Sequence, residues 1–162
     1  MRLLAPSFVL VSLSLLTGCR EKPPAAPGTP SLSTIPVEEL SVAEAQRRLA
    51  SGGLTARALT QAYLDRIAAI DVAGPALHAV IELNPDALRD ADALDAERKA
   101  GKLRGPLHGI PLLLKDDIDV AGMVTSAGSL ALADNRVASD AFLVARLRAA
   151  GAVILGKTNL SE

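Results

Sequence analysis

Two short apolar runs, Ile110 to Lys115 and Ala152 to Leu155, bracket a segment with helical periodicity that starts after Ser139 and stops at Gly151. Strand, helix and strand at this spacing make a βαβ unit, which implies parallel pairing with a right-handed crossover, and parallel strands are normally covered on both faces. The chain is therefore expected to be α/β. Pro111 has no amide hydrogen to donate and fits a strand start or an edge. Ser139 reads as the cap of the helix, with Phe142, Leu143, Leu147 and Ala150 on its apolar face and Gly151 as its stop.

Further helices and one more strand precede this unit. Ser41 and Glu44 have capping-box spacing, Val42, Ala45 and Leu49 share one helical face, and Gly52-Gly53 ends that helix. Thr55 caps a second helix carrying Leu59, Tyr63, Ile67 and Ile70 on one face. Ala79 to Leu83 reads as a strand, after which Asn84 as cap and Pro85 at the first helical position start a third helix. Its apolar stripe is narrow: Ala87, Leu88, Ala91 and Leu94. Arg89, Asp90, Asp92, Asp95, Glu97, Arg98 and Lys99 read as a solvated face.

The first residues have a different character. Arg2 is followed by an apolar stretch, Leu3 to Leu16, too short to span a bilayer as a helix, and then by Leu16-Thr17-Gly18-Cys19. This resembles a bacterial lipobox, so residues 1–18 are expected to be a lipoprotein signal peptide and Cys19 the lipid attachment site. Residues 19–36 hold Pro23, Pro24, Pro27, Pro30 and Pro36 among small polar residues and read as a tether. The folded part then covers residues 37–162, exported and anchored through lipid to a bacterial membrane, on the periplasmic side or at the outer membrane. Cys19 is the only cysteine of the chain, so an intramolecular disulfide is excluded.

Several function classes find no support in the residues. A net charge of −1 and three aromatic side chains, Phe8, Tyr63 and Phe142, give no reason to expect a nucleic-acid partner. No Gly-x-Gly-x-x-Gly lies between a strand and a helix, and neither His78 nor His108 has a Cys or paired carboxylate at ligand spacing, so neither a dinucleotide cofactor nor a metal is expected. His108 reads as a structural hydrogen-bonding residue. Lys157 lacks the upstream glycines of a phosphate-binding loop and reads as part of a structural turn after the last strand.

Lys115 is the residue with chemistry. An apolar run that carries an amine into a core can desolvate it, which disfavours its charged form and moves it from an ordinary value near 10.4 towards that of a general base. Leu112, Leu113 and Leu114 precede it. Three ordered blocks, Gly105 to Asp116, Thr125 to Leu132 and Gly151 to Glu162, together resemble the opening third of an amidase-signature enzyme, and Leu59 to Leu64 with Ala79 to Ala87 resemble the entry to that domain in bacterial peptide amidases.

The resemblance implies a mixed sheet covered by helices and a Lys, cis-Ser, Ser mechanism that hydrolyses carboxamide C–N bonds, with a small-molecule or peptide amide as substrate and no cofactor. Lys115 takes the position of the lysine. Ser126, Ser129 and Ser161 do not match the positions of the two serines, so residues 37–162 are expected to be the truncated N-terminal part of an amidase domain, inactive alone. The family commonly has Asn where this chain has Asp117, and strand alternation would turn Asp117 to the side of Lys115, where a carboxylate would favour the protonated amine and act as a pKa modulator. The transamidating subunit that acts on glutamyl-tRNA shares these blocks but is cytosolic, against the export signal. The alternative reading is a non-catalytic surface lipoprotein built on a shortened amidase scaffold.

The amino-terminal reading makes a direct prediction. Replacing Cys19 by Ser is expected to release the protein from the membrane fraction or leave the signal uncleaved, as fractionation and intact-mass measurement would reveal. Unchanged processing and membrane association would contradict the lipobox.

Overall fold

The computed structural model describes residues 35–160, and the signal peptide, Cys19 and nearly all of the tether lie outside them. Four α-helices, α1 (Val42–Ala50), α2 (Ala56–Arg66), α3 (Ala87–Lys99) and α4 (Phe142–Ala149), accompany three strands, β1 (Val80–Leu83), β2 (Pro111–Lys115) and β3 (Val153–Thr158). The sheet order is β1-β3-β2, with β1 antiparallel and β2 parallel to β3. The architecture is therefore α/β with a mixed sheet. Pro111 opens β2, which stands at one edge of the three strands, as its missing amide hydrogen requires.

The core forms where helices cover β3. Ala56 of α2 and Ala87, Ala91 and Leu94 of α3 bury Val153 and Leu155, while Val144 of α4 closes over Leu114, Val120, Met123 and Ile154. Val153, Ile154 and Leu155 are consequently almost inaccessible to water, and each such side chain contributes about 1.5–3 kcal/mol by leaving it. A third cluster joins Ala45 and Leu49 of α1 to Leu59 and Ala62 of α2 and to Ile110.

Local chemistry closes the helices, in places differently from what the spacing predicts. The Ser41 hydroxyl accepts from Glu44 N at 3.2 Å, but the Glu44 carboxylate turns outward to Arg47 and Arg48 rather than completing a box. Those guanidinium groups hold the Glu44 carboxyl below its usual range. Thr55 Oγ1 accepts from Ala58 N at 3.0 Å, as expected. Helix α3 begins two residues later than predicted, because Asn84 forms a turn of its own: Oδ1 accepts from Asp86 N at 3.0 Å while Nδ2 donates to Ile154 O at 2.8 Å. Beyond α2, residues Ile67–Val72 continue as a π-helical segment.

Helix α4 departs furthest from expectation. Ser139 does not cap it, since Ala141 occupies that position, and Asp140 instead accepts from Ala121 N at 2.8 Å and from Arg148 Nε at 3.0 Å. Phe142 and Leu143, read as core residues, are exposed, while the buried contact is Val144. The helix is short and presents one narrow face to the sheet, so neighbours at the wrong angle remain outside. Gly151 does end it, with φ +86°, and a Cβ there would run into His108 at 2.7 Å.

The charged side of α3 is not wholly solvated. Asp95 accepts from Ala56 N at 2.7 Å and Arg57 N at 3.0 Å, supplying from a neighbouring helix the acceptor that the start of α2 lacks. Replacing Asp95 by Ala is expected to destabilise the chain by about 1–2 kcal/mol, lowering the urea midpoint without changing the slope. An unchanged midpoint would mean that water serves those amides equally well.

Candidate active site

Lys115 is the last residue of β2, and its side chain is 44% exposed, with Asp117 Oδ2 3.8 Å from its Nζ. The strand does carry it to the rim of the core, since Leu114 beneath it is buried. The burial expected from the leucine run is not supplied by the described residues, because Leu113 is itself exposed. Strand alternation does not extend to Asp117, because β2 ends at Lys115 and the chain turns there, with Ile118 N donating to Lys115 O at 3.0 Å; the turn leaves the Asp117 side chain near Lys115 but equally open to water. Such an exposed pair contributes no more than about 1 kcal/mol.

On the neighbouring strand, opposite Leu114, a second lysine is entirely buried. Lys157, read from sequence as part of a turn, is a residue of β3 with no accessible surface, and its ammonium lies 3.4 Å from Asp116 Oδ1. It donates to Val124 O at 3.0 Å, Thr125 Oγ1 at 3.2 Å and Asp116 O at 3.4 Å. Asp116 is also buried, and its other oxygen accepts from Ser126 N at 3.1 Å and Ser126 Oγ at 2.5 Å. Asp116 N in turn donates to Thr158 O at 3.1 Å. Every polar atom of the residue after Lys115 therefore has a partner.

A β-bulge sets this arrangement. Pro111 and Leu112 pair with Val153 and Ile154, but Leu113 pairs with Gly156, so Leu155 is an extra residue and Lys157 stands beside Leu114. Without that insertion, residue 115 would pair with residue 157, placing two ammonium groups side by side. Gly156 makes the close approach possible, since a Cβ would collide with the Glu82 carbonyl of β1.

Glu82 extends the same network. Its carboxylate accepts from Val124 N at 2.9 Å and lies 3.5 Å from Arg136, fixing the segment that supplies oxygens to Lys157. A cavity of about 310 Å³ opens here, lined by Ile81, Glu82, Asp116, Val124, Ser126 and Ala133. A more apolar one of about 210 Å³ is lined by Tyr63, Ile67, Ile70, Leu77 and Leu113 among others. Burial pushes the Tyr63 phenol above its ordinary value, opposed by Arg66.

His108 has the structural role expected of it. It is buried, with Nε2 2.8 Å from Leu94 O and Nδ1 accepting from Arg104 N at 3.2 Å, which describes a neutral ring with its hydrogen on Nε2. His78 enters through its backbone, whose carbonyl accepts from Asn159 Nδ2 at 3.4 Å. Among the described residues no group of three His, Cys, Asp or Glu side chains could hold a metal ion. Sequence reasoning missed Asp116, Thr125, Ser126 and Lys157 as one assembly. The available signal was that both apolar runs of the βαβ unit end in a charge, Asp116 after one and Lys157 after the other.

Comparisons with known proteins cover most of the described chain. The Amidase family matches residues 58–162. The native peptide amidase from Stenotrophomonas maltophilia is 64% identical with a TM-score of 0.76, over 78% of this chain and 26% of that one. An amidase family protein from Bacillus anthracis gives 41% and 0.71 over 75% of this chain and 24% of that one. A glutamyl-tRNA(Gln) amidotransferase component from Salinispora arenicola is 46% identical over 124 residues, 76% of this chain and 25% of that protein. The chain thus spans about a quarter of the length of the relatives it matches. The family match takes in β1, β2, α4 and β3 together with Lys115 and the buried assembly beside it, and the chain belongs to the amidase-signature family.

Proposed function

We propose that residues 37–162 contribute the general base, Lys115, to an exported, lipid-anchored amidase that hydrolyses carboxamide C–N bonds, the C-terminal amides of peptides among them. The observation that supports this most is the coincidence of the three sequence blocks at one end of the sheet: Lys115 closes β2, and the second and third blocks, through Ser126 and Lys157, bind the residue that follows it, while Thr125 accepts from Lys157. Likeness to the Stenotrophomonas maltophilia peptide amidase, and to a peptide amidase solved with the competitive inhibitor chymostatin, supports the substrate class.

In the proposed reaction neutral Lys115 takes a proton from a bridging serine. That serine takes one from a second serine as its oxygen attacks the amide carbonyl, and the proton returns to the departing nitrogen as the C–N bond breaks. Water then attacks the ester by the same relay, releasing a carboxylic acid and regenerating the serine. In this proposal both serines come from other parts of the amidase domain, as the resemblance implies, because Ser126, Ser129 and Ser161 do not match the family positions. The exposure of Lys115 is consistent with this, because the groups that desolvate the base are then those that also give it a proton. Asp117 is proposed as a weak modulator, limited by solvent.

The test is a hybrid in which residues 37–162 replace the matching opening segment of the Stenotrophomonas maltophilia enzyme. It is expected to release ammonia from a peptide amide, and Lys115→Ala is expected to lower kcat/KM by at least about 10²-fold. The 162-residue chain alone is expected to show no turnover. A folded hybrid without activity would favour the non-catalytic reading, and full activity after Lys115→Ala would remove Lys115 from the mechanism.

A further inference from the structure

We propose that Lys157 and Asp116 form a buried clamp whose role is to position Lys115, making both of them positioning residues of the reaction. This rests on the reading of Lys115 as the base. Among the described residues, Lys115 is not held by its own side chain, whose contact there is an open one at 3.8 Å with Asp117. What fixes it is the backbone on either side. Leu114 is buried below, and Asp116 above is bound through its N–H, its carbonyl and both carboxylate oxygens.

Stability alone does not explain the clamp. Desolvating an ammonium and a carboxylate costs several kcal/mol, and apolar residues of the same volume generally serve a core as well or better. The pair does something that apolar residues cannot do. Its directional bonds join the exit of β2 at Asp116, the segment Val124 to Ser126 and the end of β3 at a single point. A flexible amine that must reach one serine hydroxyl gains from such a point, because displacement of about 1 Å at a reacting group can cost 10²-fold in rate.

The charges facing the pair are consistent with this. Glu82, the Cα partner of Lys157 on β1, directs its carboxylate to Val124 N and towards Arg136, leaving Asp116 as the carboxylate that pairs with Lys157. The bulge at Leu155 removes Lys157 from register with Lys115, so the clamp holds its neighbour without placing a like charge beside it.

The experiment compares three changes in the hybrid enzyme. The double variant Lys157→Met with Asp116→Asn keeps the volumes while removing both charges. It is expected to fold, with kcat per folded enzyme, normalised by circular dichroism as for every variant here, at least ~10-fold lower and KM within about twofold; the normalisation separates this from simple loss of folded protein, which also lowers apparent kcat at constant KM. Ser126→Ala, which removes one bond to Asp116 and leaves the ion pair, is expected to lower kcat by about threefold with KM unchanged. If the double variant does not fold, Ser126→Ala decides. Unchanged kcat in a folded double variant, or in Ser126→Ala when that variant decides, would overturn the clamp while leaving the base in place. Retained activity in Lys115→Ala would instead overturn the reading of Lys115 as base, so the two failures are separable.

Discussion

A lysine ammonium with no access to water, enclosed by Asp116 and by oxygens of Val124 and Thr125, is the constraint around which this structure is arranged. Leaving any of those partners unmet would expose the full desolvation penalty of a buried charge, so the three segments that supply them are placed together or not at all. Parallel pairing of β2 with β3 brings Asp116 to Lys157 across the sheet. The antiparallel partner β1 contributes Glu82, which secures the segment containing Val124.

The consequence for Lys115 is indirect. It stands one residue before the most completely bonded position of the site, at a strand end held by the sheet on one side and by Leu114 packing on the other. Its amine remains open while its backbone does not. That combination, a fixed origin and a free tip, suits a group that acts on partners contributed by other parts of a larger domain, and it accords with membership of a family whose solved members are about four times as long as the matched segment.

Much of the scaffold was legible in the residues because its signals were local. Thr55 capped its helix, Gly151 stopped another, Pro111 marked a strand start at an edge, and Ile110 to Leu155 formed the expected parallel unit. The failures involved partners distant in sequence. Asp95 serves α2 across 39 residues, Asn84 bonds Ile154 across 70, and near the start of α4, where Ser139 was expected to cap, Asp140 is bound by Ala121 and Arg148 instead. Lys157 was misread because its place just after the apolar run Ala152 to Leu155 suggests a turn, whereas the bulge that admits it to the core leaves no periodic trace. The lipobox and tether lie outside the described residues, and their reading rests on sequence alone.

The most direct measurement of the central claim is the reactivity of individual lysines towards an amine-selective reagent, followed by peptide mapping of the native and the urea-unfolded chain. Lys115 is predicted to label rapidly in the native protein, whereas Lys157 should label only after unfolding, with protection of at least ~10²-fold if its ammonium is released only by global opening. Comparable native labelling of the two lysines would show that Lys157 reaches water, contradicting the buried pair on which the account depends.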